Sequence, residues 1–224
     1  LDIEVIHGRR AGPTLMVCAA IHGDELNGVE ICRQLLKYKS LHRIAGTLII
    51  VPVVNIFGFL QQSRYLPDRR HLNRCFPGSE KGSLASRIAY ICRTQVLSHC
   101  THVLDLHTGA IHRSNMPQIR ANLDNLEAKA MADAFGAPVI IDSKLRDGSL
   151  RQCADEAGIS LILYEAGEAL RFDDRAIRGG IRGVLNVIRY LKMLPQLKKP
   201  KKALAPVVAN SSAWIRTNSD GVFR

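Results

Sequence analysis

The stretch that decides the fold is Thr14 to Glu25, which reads TLMVCAAIHGDE. The unbroken apolar run from Thr14 to Ala20 predicts a strand that is covered on both faces, as in a parallel sheet. His22 and Glu25 come next, where the apolar run gives way to a helical pattern that extends from about Glu25 to Tyr38. The stretch therefore predicts a strand that turns into a helix, with candidate metal ligands at the turn.

The same alternation of strand and helix patterns continues along the 224-residue chain. Apolar strands are predicted at 46–54, 101–106, 139–141 and 160–164, and helices at about 83–92, 127–135, 150–157 and 173–194. Such alternation is typical of an α/β domain. We therefore predict one α/β domain over residues 1–194, with a mostly parallel or mixed sheet flanked by helices.

The C-terminal region differs in composition from this domain. Residues 195–206 are rich in proline and lysine and predict a linker, with a solvated cluster at Lys198–Lys202. Residues 207–224 contain short strand starts at 207–208, 213–215 and 221–223. So short a segment cannot form a sheet by itself, so we interpret it as the beginning of an incomplete C-terminal β domain.

Composition excludes some classes of function and disfavours others. The net charge of +11 invites a nucleic-acid interpretation, but basic residues are spread along the chain, aromatic residues are only 5% and no nucleic-acid module is recognisable. No apolar stretch is long enough to span a bilayer. The six cysteines form no C-x-x-C pair and no secretory leader is visible, which favours a cytoplasmic location.

A second strand end supplies another candidate ligand. His107 lies in the segment DLHTG at 105–109, directly after the predicted strand 101–106. Ligands gather beyond the carboxyl ends of strands in open α/β sheets, so His22, Glu25 and His107 are expected to meet. Two histidines and a carboxylate suit a zinc ion with an open coordination position, although other transition metals accept the same set. Asp105 either orients a ligand or caps the strand end.

A carboxylate at a third strand end is the candidate general base. Glu165 follows the predicted strand 160–164. Hydrolysis at a metal needs a group that takes a proton from water and passes it to the leaving amine. Glu168 and Asp24 are the alternatives for this role, and placement at the strand end favours Glu165.

The loop at 63–78 is rich in arginine and contains Arg64, Asn73 and Arg74. Arginine binds carboxylates in a directional, bidentate manner, so an Asn-Arg pair beside a metal is suited to hold a substrate carboxylate. Arg64 is placed to stabilise an oxyanion. The alternative is a solvated basic loop.

Four motifs in order resemble the succinylglutamate desuccinylase/aspartoacylase family, whose members are relatives of the zinc carboxypeptidases. The motifs are HGDE at 22–25, LNRCFPG at 72–78, DLHTG at 105–109 and EAGE at 165–168. The resemblance covers Thr14 to about Leu194 and implies a carboxypeptidase-like α/β fold. It also implies roles for seven residues: one zinc ion on His22, Glu25 and His107, Glu165 as base and proton shuttle, Asn73 and Arg74 on the substrate carboxylate, and Arg64 on the scissile carbonyl.

One position departs from the family pattern. His71 stands before Leu72-Asn73-Arg74, where the family usually has an aspartate. The loss of this anion is expected to loosen the orientation of Arg74 or to change substrate preference. We interpret His71 as an ordinary loop histidine, with a stray metal ligand as the alternative.

The leading hypothesis is a zinc-dependent hydrolase that removes an acyl group from an N-acyl amino acid or a similar small anionic acid. The first alternative is a zinc carboxypeptidase that acts on peptides or wall fragments. The second is a non-catalytic binding protein that keeps the fold. No nucleic-acid or membrane partner is expected, and the sequence does not predict an oligomeric state.

Overall fold

The computed structural model describes residues 1–197, 205–213 and 215–221. Over these residues the chain forms eight strands in one sheet, together with six α-helices. The strands are β1 (Glu4–His7), β2 (Arg10–Ala19), β3 (Ala45–Val51), β4 (His102–Gly109), β5 (Asn115–Ala121), β6 (Val139–Asp142), β7 (Ser160–Glu168) and β8 (Val207–Ala209). The helices are α1 (Leu26–Leu35), α2 (Ile56–Leu60), α3 (Leu84–Gln95), α4 (Leu126–Phe135), α5 (Leu150–Glu156) and α6 (Asp174–Tyr190).

The sheet is mixed, with the order β1-β3-β2-β4-β7-β5-β6-β8. The strands β3, β2, β4 and β7 run parallel to one another. β1 pairs antiparallel with β3, and β5 pairs antiparallel with β7. The predicted α/β fold with a mostly parallel or mixed sheet is confirmed.

Both faces of the sheet are buried, which explains the unbroken apolar run in β2. Leu15 and Val17 belong to a core cluster that includes buried residues of α1, α4 and α6. Met16 and Cys18 belong to the cluster on the opposite face, which includes buried residues of α3 and α5. Because successive side chains of a strand point to opposite faces, every position of β2 from Leu15 onward needs an apolar residue.

Helix boundaries follow the signals in the sequence. The Ser83 hydroxyl accepts a hydrogen bond from the Ser86 amide and caps α3, as predicted. Gly136 adopts the left-handed conformation at the end of α4. The prediction for α1 was too long, because the helix ends at Leu35 rather than at Tyr38.

Two strands were not predicted from the sequence, and one is longer than predicted. β1 and β5 were both missed, and β7 continues to Glu168. Glu165 therefore lies within the strand rather than after it. β7 is longer because β5 pairs with its second half, from Leu163 to Gly167.

The C-terminal region contributes an edge strand to the same sheet. Val207–Ala209 pairs in parallel with β6. The predicted linker at 195–206 lies mostly outside the described residues, as do the lysine cluster at 198–202 and the predicted strand positions 214 and 222–223. The division into a domain at 1–194 and a β domain from 207 stays a prediction. Among the described residues, no helix combines the length and apolar character needed to cross a membrane.

Candidate active site

Three neighbouring parallel strands bring the predicted site residues to one edge of the sheet. His22 lies three positions beyond Ala19, where β2 ends, and His107 lies near the end of β4. Glu165 of β7 is the direct register partner of His107. From β2 the chain continues to β3, and from β4 it continues to β5, which lies in the opposite direction along the sheet. The site therefore forms where the strand order reverses, as is typical of open α/β folds.

The three candidate metal ligands form a compact buried cluster. The Nδ1 atom of His22 lies 2.7 Å from Oε1 of Glu25, and Nδ1 of His107 lies 2.8 Å from Oε2 of the same carboxylate. One donor atom from each residue can be chosen so that all three lie within 4.8 Å of one another. The three residues are at most 4% exposed. Two imidazole nitrogens that converge on a shared carboxylate fit a divalent transition metal such as zinc.

Electrostatic interactions within the cluster couple the three groups. Burial alone would raise the pKa of Glu25, but the neighbouring His22 and His107 rings lower it well below its usual value. Burial lowers the pKa of His22, and the Glu25 carboxylate offsets this effect only in part. Burial also opposes charge on His107, but the carboxylates of Asp105 and Glu25 outweigh it and raise the pKa of His107 well above its usual value. The two imidazoles thus stabilise the charged form of the Glu25 carboxylate.

The local backbone around His22 depends on a close approach at Gly23. A Cβ atom added there would lie 2.0 Å from the carbonyl carbon of Gly58 and 2.2 Å from the amide nitrogen of Phe59, both in α2. Gly23 is not among the glycines with positive φ. The glycine is therefore required because α2 packs against its backbone, and not because the turn needs a left-handed residue.

Each candidate histidine ligand has a partner for its second ring nitrogen. Nε2 of His107 lies 2.8 Å from Oδ2 of Asp105, which is 1% exposed. This contact favours the orienting role of Asp105 over a strand cap. Nε2 of His22 lies 2.6 Å from Nε2 of His71. The interpretation of His71 as an ordinary loop residue was wrong, because its ring lies against a candidate ligand.

Glu165 lies in the pocket, whereas the two alternative bases do not line it. The Glu165 carboxylate accepts a hydrogen bond from Nε of Arg120 at 2.6 Å. Glu168 instead accepts a hydrogen bond from the backbone amide of His112 at 2.9 Å. Asp24 is buried, and its Oδ1 has no hydrogen-bond partner among the described residues. Of these three carboxylates, that of Glu165 is the one that lines the pocket, beside its register partner His107.

The three loop residues predicted to bind substrate also reach the pocket. Arg64 donates a hydrogen bond to Oε1 of Glu25 at 3.0 Å. The Asn73 amide oxygen accepts a hydrogen bond from the Leu150 backbone, which ties the loop to α5. The Arg74 guanidinium donates to the backbone carbonyl of Asn73. The loop is therefore fixed against the domain and is not simply a solvated basic segment.

The pocket has a volume of about 240 Å³ and its wall is strongly basic. Six arginines line it: Arg64, Arg74, Arg113, Arg120, Arg146 and Arg151. Burial lowers the pKa of Arg74, and nearby Arg146 and Arg64 lower it further. This crowding of positive charge favours an anionic ligand.

Four of these arginines were not predicted from the sequence, namely Arg113, Arg120, Arg146 and Arg151. The one usable signal was the alternation of polar and apolar residues in Gln118-Ile119-Arg120-Ala121, in which Ile119 and Ala121 are buried. Because the register pairs Gln118 with Glu165, Arg120 lies diagonally across the two strands on the same face as Glu165. The ion pair follows from this register.

Comparison with known proteins identifies the family of this chain. A family model described as the succinylglutamate desuccinylase/aspartoacylase catalytic domain matches residues 11–191. The chain belongs to this family. The match includes all seven predicted site residues, and the resemblance inferred from the four motifs is confirmed.

Similar proteins include one relative named as a deacetylase and two solved structures. The N-alpha-acetyl-L-2,4-diaminobutyric acid deacetylase of Halomonas elongata is 33% identical over 139 residues, which make up 59% of this chain and 41% of that protein. The product-bound ectoine utilization protein EutE (DoeB) of Ruegeria pomeroyi has a TM-score of 0.82 and 28% identity, over 92% of this chain and 64% of the other. The succinylglutamate desuccinylase/aspartoacylase of Rhodobacter sphaeroides, at 24% identity and a TM-score of 0.83, shares the fold over 94% of this chain and 66% of its own. The chain thus spans less than two thirds of the length of these relatives.

Proposed function

We propose that this member of the deacylase family is a metal-dependent hydrolase that removes the acyl group from an N-acyl amino acid or a similar small anionic acid. The observation that carries the proposal is the buried cluster of His22, Glu25 and His107, which lines the same pocket as Glu165 and six arginines. We further propose that the protein works in the cytoplasm, which the six free cysteines support.

The metal in this proposal is one zinc ion held by Nδ1 of His22, the Glu25 carboxylate and Nδ1 of His107. When bound, zinc would polarise the acyl carbonyl and lower the pKa of a coordinated water to roughly 7. The fit rests on the chemistry of the donor set and on its burial, since all three side chains are nearly inaccessible to solvent. The same donor set accepts other divalent transition metals, so metal analysis is part of the test.

Glu165 acts in this scheme as general base and then as general acid. It takes a proton from the attacking water and returns it to the nitrogen of the leaving amine. Its register partner is His107, so its carboxylate projects beside the proposed metal site. Nε of Arg120 donates a hydrogen bond to one oxygen of this carboxylate at 2.6 Å, and the other oxygen accepts and releases the proton.

Arginines and Asn73 bind the substrate in this scheme. Arg64 lies beside Glu25 and donates a hydrogen bond to the scissile carbonyl oxygen as negative charge develops on it. Arg74 and Asn73, which also line the pocket, hold the substrate carboxylate. A fixed carboxylate places the amide within reach of Glu165, which is how binding energy supports the reaction.

The relatives guide the choice of substrates. The Halomonas elongata relative is named for the deacetylation of N-alpha-acetyl-L-2,4-diaminobutyric acid, whose side chain carries an amine. The basic wall of the present pocket instead favours substrates with an additional carboxylate. A panel should therefore contain N-acetyl and N-succinyl derivatives of aspartate, glutamate and 2,4-diaminobutyrate, together with short unblocked peptides.

The test is metal analysis of the purified chain, coupled to release of free amino acid from this panel. We expect close to one zinc ion per chain and turnover of N-acyl amino acids in preference to peptides. Release of C-terminal residues from the peptides alone would indicate the carboxypeptidase alternative. Stoichiometric metal without turnover of any substrate would indicate a binding protein, and the absence of metal binding would refute the proposed site.

A further inference from the structure

His71 occupies a specific place behind the proposed metal site. Its Nε2 atom lies 2.6 Å from Nε2 of His22, and the two ring centroids are 4.7 Å apart. The opposite nitrogen of His22, Nδ1, faces Glu25 at 2.7 Å and His107 at 3.2 Å. His71 therefore contacts the edge of the His22 ring that points away from the ligand cluster.

The tautomers of both rings follow from the proposed ligand set. A neutral histidine that binds a metal through Nδ1 carries its proton on Nε2. For His22, that proton points at His71, so His22 is the donor and Nε2 of His71 is the acceptor. His71 must then carry its own proton on Nδ1.

The second histidine ligand provides a comparison within the same site. Nε2 of His107 also has a close partner, the carboxylate of Asp105 at 2.8 Å. The two ligands are thus held in the same way, one by an anion and one by an uncharged imidazole. Partners of this kind fix the ring orientation and tautomer of a metal ligand.

We infer that His71 is a positioning residue that accepts a hydrogen bond from His22 and holds its ring ready for the metal. The inference rests on the proposed function, because it assumes a metal on Nδ1 of His22. It replaces two readings of the sequence, a solvated loop residue and a stray ligand. The geometry disfavours the second reading, because the near nitrogen of His71 is directed at the outer nitrogen of His22.

The backbone around His71 is suited to this role. The His71 carbonyl accepts hydrogen bonds from the Arg74 amide at 2.9 Å and from the Cys75 thiol at 3.4 Å. The Tyr65 ring meets the His71 ring edge-on, with centroids 5.9 Å apart. A partner that is itself held in place can orient a ligand more firmly than a mobile side chain can.

The test compares zinc affinity in the full chain and in three variants. His71→Ala removes the acceptor, His71→Asp replaces it with a carboxylate like that of Asp105, and His42→Ala alters an exposed histidine away from the site. Zinc dissociation constants are measured by competition with a chromogenic chelator. Melting of the metal-free proteins by circular dichroism identifies any variant that fails to fold, in which case His71→Phe, which keeps a ring but has no acceptor, takes the place of His71→Ala.

We expect His71→Ala to weaken zinc binding about 10- to 100-fold, the usual cost of losing such a partner. His71→Asp should bind zinc at least as tightly as the wild-type chain, and His42→Ala should be unchanged. Nitrogen-15 spectra of the zinc-loaded wild-type protein should show a proton on Nε2 of His22 and on Nδ1 of His71. A residue that only fills space would not produce this tautomer pair.

Three results would overturn the inference. Equal zinc affinity of the wild-type chain and His71→Ala would show that the contact does not support the metal site. A loss that His71→Asp fails to restore, with a changed visible spectrum of the cobalt-substituted protein, would make His71 a ligand instead. A wild-type chain that binds no zinc would refute the proposed function as well. If the wild-type chain binds zinc normally and one of the first two results is found, only the inference about His71 fails.

Discussion

Removal of the Asp105 carboxylate is the most direct test of how the site is built. Asp105 lies two residues before His107 on β4, and its Oδ2 is 2.8 Å from Nε2 of that ring. Both residues are buried, so no solvent molecule can easily take over the interaction. Asp105→Ala deletes the acceptor, whereas Asp105→Asn keeps an acceptor oxygen without the charge.

The expected effects follow from the strength of this contact. A hydrogen bond to a charged group contributes about 1.5–3 kcal/mol. Since about 1.4 kcal/mol corresponds to a factor of ten, Asp105→Ala should weaken zinc binding about 10- to 150-fold. A neutral hydrogen bond is roughly half as strong as a charge-assisted one, so Asp105→Asn should cost about 3- to 13-fold.

The assay is zinc competition against a chelator, with circular dichroism of each metal-free variant to show that it is folded. Asp133→Asn is a matched control, because it makes the same chemical change in an exposed pair with Lys129. We expect the order of affinity to be wild type and Asp133→Asn, then Asp105→Asn, then Asp105→Ala. Wild-type affinity in Asp105→Ala would refute the reasoning that the outer partner of His107 supports the metal site.

Three further predictions concern catalysis, packing and thiol reactivity. Glu165→Gln should keep its zinc but lose turnover by about 10²–10⁴-fold, whereas Glu168→Gln should keep most of the wild-type turnover. The measurements are steady-state kinetics and metal analysis, and equal turnover in the two variants would contradict the assignment. Gly23→Ala should lower the free energy of unfolding by about 1–3 kcal/mol or more because its Cβ meets the backbone of α2, whereas Gly221→Ala should melt like wild type, since a Cβ there meets nothing within 4 Å. Cys75 is the only partly exposed cysteine among the six, and the other five are buried, so a thiol reagent at pH 8 should label it first, and Cys75→Ser should abolish the fast phase.

The central part of the site was predictable because it depends on neighbouring strands. Apolar runs marked β2, β4 and β7, and polar residues at their ends had to meet if the strands ran parallel. The structure places β2, β4 and β7 side by side, and it pairs His107 with Glu165. The sequence predicted a common edge for parallel strands, whereas the adjacency of β2, β4 and β7 is a feature of the sheet order, which departs from the order along the chain.

The rest of the pocket depends on pairing that leaves little trace in the sequence. β5 contains Pro117 and few large apolar residues, and a proline argues against an interior strand. Its antiparallel register with β7 nevertheless brings Arg120 to Glu165. Likewise, His71 is 49 positions from His22, and nothing in the local pattern of either residue predicts their contact. Such contacts become visible only when the register and the loop path are known.

The charges that line the pocket favour an anionic ligand. Among the described residues, the acidic groups of the wall are Glu25, Asp105 and Glu165, and each already has a cationic or imidazole partner. The wall also carries six arginines, so positive charge exceeds negative charge before any metal binds. A divalent cation on the His22 cluster would increase that excess. An uncharged partner such as His71 behind the cluster adds no further anion to offset it, and a substrate with one or more carboxylates would supply the missing negative charge.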